Sequence, residues 1–435
     1  MQTSNIQTSS SSGFISDIND QYPVVSWTFD RIFNLFNCAI SALTSLGKTI
    51  GTVICYPQTN KNAPAQLIQQ WNVSDPATAK KVFKSHRAEG YFRESSALQF
   101  KDLIADEQIG DEIAFCNKAG TKAYRAVFSH IFSHEKLAER LNDIRDFSDD
   151  YVFDLEDLTQ LDPKSINTLS KQFGLYCYFE LIVGYTGPFS DIGKLYQNGM
   201  ENREWTEDDR DIVKKIYANS NGILIQRMQA RGHTPAQIQA LIVGVMDAVA
   251  RGSAVVAEQI VSRLAQNSDL QEKLYTEIRD LDATQTSQCK LLSQVILEAL
   301  RLQCPVQNVH RTTDTSVESG VFSGKPNSVL LEQGDKISIA IDVMTVKEDV
   351  VGPAPLTFNP DRKIVVETGD FWPGMPGLLF GHGTHICPGA PFFKAIITQL
   401  TASLVCGYRF EMDPAAKTSR WNVCLDQVSV HPRVQ

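Results

Sequence analysis

The chain has 435 residues, 43% of them hydrophobic and 21% charged, with a formal net charge of −9. That length is ample for a buried cofactor pocket, and the composition is that of a globular protein rather than a disordered or membrane-embedded one. The acidic balance excludes nucleic acid as an expected partner, and nine cysteines without C-x-x-C pairs fit reduced thiols better than a disulfide scaffold or zinc site.

Residues 1–13 are rich in Ser, Thr and Gln and are predicted to be disordered; the tail read in this way extends to residue 30, with a single domain from 31 to 435. The start lacks the basic residues and short apolar core of a secretory signal. Between Arg31 and Tyr56 apolar residues recur at mostly helical spacing, interrupted by Asn34, Asn37, Ser41, Thr44, Gly47 and Lys48. We therefore expect an amphipathic helix packed on the domain, no transmembrane anchor and a cytoplasmic location, with peripheral membrane contact through 31–56 as the alternative. Residues 65–160 alternate helical patches with polar turns and include the segment Lys118–Phe132, which carries Arg125. Phe173–Tyr185 is nearly all apolar or aromatic and predicts a buried helix stopped by Gly187 and Pro188.

Thr234-Pro235 then opens a pattern that runs without another proline to about Gln266. Threonine as cap and proline at the first helical position are start signals, and a helix of roughly 30 residues is about 45 Å long, enough to cross a whole domain. Further on, Glu298 and Arg301 lie three apart and share a helix face. Residues 305–345 alternate apolar and polar and contain Gly320, Gly324 and Gly334, which predicts short strands and turns, with His310 and Arg311 near the start. The stretch Phe380-Gly-His-Gly-Thr-His-Ile-Cys387-Pro-Gly389 directly precedes an apolar run, Ala390–Val405, that reads as a helix. Its glycines let backbone approach a partner closely. A cysteine at a helix start is expected to have a depressed pKa, because the free N–H groups and the dipole favour thiolate. The loop is suited to hold a charged sulfur against a flat, bulky group. Asp413–Gln435 reads as strands and turns.

The order Phe380, Gly383, Cys387, Gly389 resembles the F-x-x-G-x-x-x-C-x-G haem-ligand loop of the cytochromes P450, and Gly381 and His385 fit the form common in soluble bacterial members. The resemblance extends over about residues 65–435, with Glu298-x-x-Arg301 and Phe358-Asn-Pro-Asp-Arg362 in the family's order. It implies a mostly α, single-domain cytochrome P450 fold with a small β portion. It also implies haem b with the Cys387 thiolate as metal ligand, Phe380 and Gly389 shaping the loop, and Glu298, Arg301 and Arg362 in a structural network. Arg125, His385 and one of His310 or Arg311 would neutralise the haem propionates, although Thr121 stands where many members carry an aromatic donor four residues before the arginine. The long helix would pass over the distal face of the haem.

The function so implied is that of a monooxygenase hydroxylating or epoxidising a small lipophilic substrate with electrons from a ferredoxin or flavoprotein reductase. On the long helix, however, the family's acid–threonine pair is broken. If Ser253 takes the alcohol position, Gly252 replaces the acid and Arg251 lies just before it; if Gly244 and Asp247 are aligned instead, Ala248 follows the acid. Ser253, Arg251 and Asp247 are the catalytic candidates. The departure keeps two alternatives: a peroxygenase driven by hydrogen peroxide, or a hydroperoxide-rearranging member, with Arg251 binding an acidic substrate; and a non-catalytic haem sensor or carrier.

Overall fold

A computed structural model describes residues 52–55, 67–85, 118–153, 163–202, 205–313, 315–324, 329–363, 378–383, 386–415 and 425–433. They belong to one compact unit, Gly51–Gln435. The expected N-terminal tail and most of the expected helix 31–56 lie outside the described residues, as do 86–117 and His385.

The element that orders the rest is the central helix α5, Pro235–Ala265; the helices before it include α1 (Pro76–Lys84), α2 (Lys118–Ile131), α3 (Leu141–Phe153) and α4 (Pro163–Cys177). Its start follows from local chemistry. The Thr234 hydroxyl accepts the Gln237 N–H at 3.2 Å and the Gln237 carboxamide oxygen accepts the Thr234 N–H at 3.0 Å, a reciprocal cap ahead of Pro235. Apolar residues lie on most sides of α5, as in a helix that runs through a core, and among the described elements it packs most extensively on α4.

Helix α4 continues as a π-helical stretch, Tyr178–Val183, and ends at Gly184 with φ +68°, three residues before the expected stop at Gly187. Gly184 is required there: a Cβ would lie 2.4 Å from the Gly222 amide nitrogen, and the backbone is left-handed.

A helix after the central one, α6 (Lys290–Leu302), carries the expected charged cluster. Glu298 accepts from Arg301 Nε at 2.7 Å and Nη2 at 2.7 Å, and from Arg362 Nε at 3.2 Å. The remaining guanidinium N–H groups go to backbone oxygens: Arg301 to Thr345 and Pro355, and Arg362 to Pro353, Ala354 and Thr357. Such a buried cluster is tolerable because its polar atoms are answered.

The β portion is small. Strands β1 (Thr52–Cys55), β2 (Leu67–Val73), β3 (Asn308–Thr312) and β4 (Lys336–Ala340) form a sheet in the order β1-β2-β4-β3. β1 corrects the expected helix over 31–56 at its end. Thr52, Val53 and Ile54 are β-branched and fit a pleated strand, and they pair antiparallel with β2. The strands expected within 305–345 are present, and the C-terminal one, β6 (Val428–Pro432), pairs with β5 (Tyr408–Met412). The last long helix, α7 (Ala390–Gly407), packs on α3 and α5. Cys177, Cys289, Cys304, Cys387 and Cys406 are all unbridged.

Candidate active site

The loop before α7 is closed by its own backbone. The Cys387 N–H donates to Phe380 O at 2.8 Å, and Gly381 N–H to Leu378 O at 2.7 Å. Gly381 and Gly383 have φ of +74° and +72°. At Gly383 a Cβ would lie 2.7 Å from Phe83 O, so glycine lets the loop press against the last turn of α1.

Cys387 is half-buried, just ahead of Gly389, the cap of α7. The expected depression of its pKa is corrected: burial pushes the thiol up, and this outweighs the N–H groups of Gly389 and Ala390 and the charge of Arg125, which pull it down. The N–H groups foreseen from the sequence are present, and Arg125 adds to them. The opposing one, desolvation, depends on what packs around the sulfur.

Arg125 reaches this loop from α2. Its Nη2 donates to the Ile386 carbonyl, while its buried Nε has no partner among the described residues. Burial lowers the guanidinium pKa, and the Cys387 sulfur raises it. A buried guanidinium with an unanswered N–H is costly in the protein alone and calls for an anion. A haem carboxylate meets that need, and the donor set of a cysteine sulfur with an adjacent guanidinium suits the cofactor.

Neighbours in β3, His310 and Arg311 point to opposite faces of the strand. Arg311 is buried at 1% exposure, its guanidinium 5.0 Å from the centroid of the Phe83 ring, and its Nη1 donates to His310 O at 2.8 Å. Through Phe83 it borders the cysteine loop; His310 is half-buried on the other face. His382 was not singled out by sequence. Its Nε2 is buried without a partner among the described residues, and burial, Lys84 and Lys80 hold its imidazole below the usual pKa. Its place between Gly381 and Gly383, the two left-handed glycines, was the available signal.

The helix candidates fall on two faces of α5. Gly244, Val245, Asp247, Ala248, Arg251 and Val255 form an exposed to half-exposed stripe at helical spacing. On it Arg251 donates to Asp247 Oδ1 from Nη2 at 3.0 Å and from Nε at 3.2 Å. Ser253 is elsewhere: 1% exposed, its hydroxyl donates to Val249 O at 2.8 Å, and a Cβ on Gly174 of α4 would lie 2.9 Å from its Oγ. The structure thus brings Asp247 and Arg251 together and leaves Ser253 between packed helices.

A sequence model of the family described as Cytochrome P450 matches residues 187–431, which include α5, Glu298, Arg301, Arg362 and Cys387 but not Arg125. The chain belongs to the cytochrome P450 family, and that membership implies haem with a cysteine thiolate ligand. Similar proteins include Cytochrome P450 52-E3 of Starmerella bombicola, 35% identical over 127 residues, covering 28% of this chain and 23% of that protein. Lanosterol 14-alpha demethylase of Eremothecium gossypii is 27% identical over 228 residues, covering 46% of this chain and 41% of that one. The matches thus span less than half the length of these curated relatives. Among solved structures, a retinoic acid-bound cyanobacterial CYP120A1 superposes with a TM-score of 0.64 at 15% identity, over 84% of this chain and 90% of that one. At that identity the likeness concerns the fold, which is mostly helical with small sheets.

Proposed function

We propose that this protein is a haem-thiolate monooxygenase that hydroxylates or epoxidises a small lipophilic molecule, with haem b bound through Cys387. The observation that carries the reading is a cysteine at the start of a long helix, in a loop pressed against α1, with the unanswered Nε of Arg125 beside it. When bound, the cofactor would supply oxidising chemistry, because a thiolate ligand favours heterolysis of an O–O bond. Cys387 holds the metal. Arg125, Arg311 or His310, and His385 take the carboxylates, with Phe380 and Gly389 shaping the loop.

The exposed stripe of α5 faces the substrate in this reading. Ala248 follows Asp247 and has no hydroxyl to offer, so we assign proton delivery to water and to Asp247 Oδ2, the carboxylate oxygen that Arg251 does not engage. Ser253 is not used because its only proton is committed to Val249 O. Arg251 holds the carboxylate of Asp247 and so orients it. Electrons come from a ferredoxin or flavoprotein reductase. The second reading is a peroxygenase in which hydrogen peroxide replaces that partner and Arg251 binds an acidic substrate. Its half-exposed guanidinium favours this reading, while its existing partner opposes it.

The test incubates haem-loaded protein and a panel of lipophilic substrates, including fatty acids, with NAD(P)H and a surrogate reductase or with peroxide alone. Products are read by mass spectrometry. We expect turnover with electrons and dioxygen. Rapid turnover with peroxide alone would select the peroxygenase, and ligand-induced spectral shifts without product under either condition would leave a haem sensor or carrier. Cys387→Ala is expected to abolish the thiolate signature of the reduced carbonyl complex; its survival would remove Cys387 as the ligand.

A further inference from the structure

The central helix packs on α7, and from Phe393 of α7 a short run of contacts leads to the backbone amide of Cys387. Gly252 lies on a buried side of α5 opposite the Phe393 ring: a Cβ there would be 3.6 Å from Phe393 Cε2 and 3.8 Å from Cδ2. Phe393 sits in the first turn of α7, its N–H donating to Gly389 O at 2.8 Å. It is thereby fixed to the same turn whose N–H groups face the sulfur. Its ring is tilted against Phe380, with centroids 5.9 Å apart and planes at 58°, an arrangement aromatic pairs favour. The Phe380 carbonyl, finally, accepts the Cys387 N–H at 2.8 Å.

We propose that Phe393 is a positioning residue that transmits the placement of the central helix at Gly252 to the Cys387 loop through Phe380. The inference rests on the reading of Cys387 as a thiolate ligand. Its physical basis is that rings are stiff and packed contacts do not deform continuously, so a displacement on one side must be taken up on the other. The residue at 252 sets the spacing. An alanine Cβ would meet the ring at ordinary contact distance, so in the proposal a longer side chain at 252 presses on the ring, whose other neighbour is Phe380. A substrate that moves α5 would then alter the surroundings of the sulfur through side chains alone.

The test uses full-length protein loaded with haem, reading the thiolate signature of the reduced carbonyl complex and the rate at which it is lost on mild warming. We expect Gly252→Ala to behave as wild type. Gly252→Leu and Phe393→Ala should each speed the loss about fivefold, with helical content by circular dichroism unchanged, and Phe393→Tyr should restore the wild-type rate. In the Phe393→Ala background Gly252→Leu should add nothing, because the path is already cut. Equal effects of Gly252→Leu with and without the ring would overturn the proposal, as would a wild-type rate in Phe393→Ala. Should Gly252→Leu not fold, a cycle of Phe380→Leu and Phe393→Leu serves instead, with additive effects counting against the coupling. Absence of the thiolate signature from the wild-type protein would instead defeat the ligand reading itself.

Discussion

Glu298, Arg301 and Arg362 have side chains 0%, 0% and 5% exposed, whereas Asp247 and Arg251 are 34% and 55% exposed. The buried cluster draws on carbonyls from Thr345, Val351, Pro353, Ala354, Pro355 and Thr357, far from α6 in sequence. The exposed pair is made within one helix, through one carboxylate oxygen at i and i+4. Charges of the first kind cannot exchange partners without unfolding their surroundings. Those of the second kind can, which leaves them free to meet a substrate in the proposed reading.

The strongest challenge to that contrast is Glu298→Ala. It removes the single carboxylate between two buried guanidinium groups, and leaving such charges uncompensated costs about 3–5 kcal/mol. Urea unfolding should show a loss of that size. A loss below about 1 kcal/mol would mean that the ring of carbonyls suffices and that the cluster is no firmer than a surface pair.

Arg125 stands between the extremes, buried at Nε yet without a partner for that N–H among the described residues. Arg125→Ala should leave the helices intact and weaken haem retention by about tenfold or more, the worth of a hydrogen bond to a charged group. Transfer of haem to an acceptor protein measures this. Unchanged retention would take Arg125 away from the cofactor and leave its contact with Ile386 O as its role.

Features encoded by neighbours in sequence are legible from the residues alone. The start of α5 follows from Thr234, Pro235 and Gln237, all within four residues, and the Glu298–Arg301 pair from helical spacing. The cysteine loop is legible because its glycines and Cys387 form one short pattern whose closure, Cys387 N–H to Phe380 O, is local. What escapes such reading depends on distant packing. Nothing near Ser253 indicates that Gly174 lets α4 approach its hydroxyl. Burial raises the Cys387 pKa through atoms that sequence spacing does not place. That Arg311 lies beside the cysteine loop depends on Phe83 of α1 packing on one face of β3, which spacing does not show. At Thr52–Cys55 the error is one of period: a few apolar residues extend a helical pattern, while the β-branched run and its pairing with β2 decide for a strand.

Arg251→Ala has the smallest expected effect on stability and sharpens the comparison most. An exposed pair at i and i+4 contributes about 0.3–0.5 kcal/mol, so unfolding should scarcely move. Binding is more informative. If Arg251 stays with Asp247, the variant should lose affinity equally for a fatty acid and its methyl ester, as read by spectral titration of the haem-loaded protein. A loss about tenfold greater for the acid, in the range of a charge-assisted hydrogen bond, would show that the guanidinium leaves Asp247 for a substrate carboxylate. Asp247→Ala separates the cases again. It frees Arg251, so an acid-binding site should tighten for the fatty acid, whereas a site that needs Asp247 to deliver protons should keep its affinity and lose turnover. The two variants together thus test whether this pair binds a substrate carboxylate or serves proton delivery.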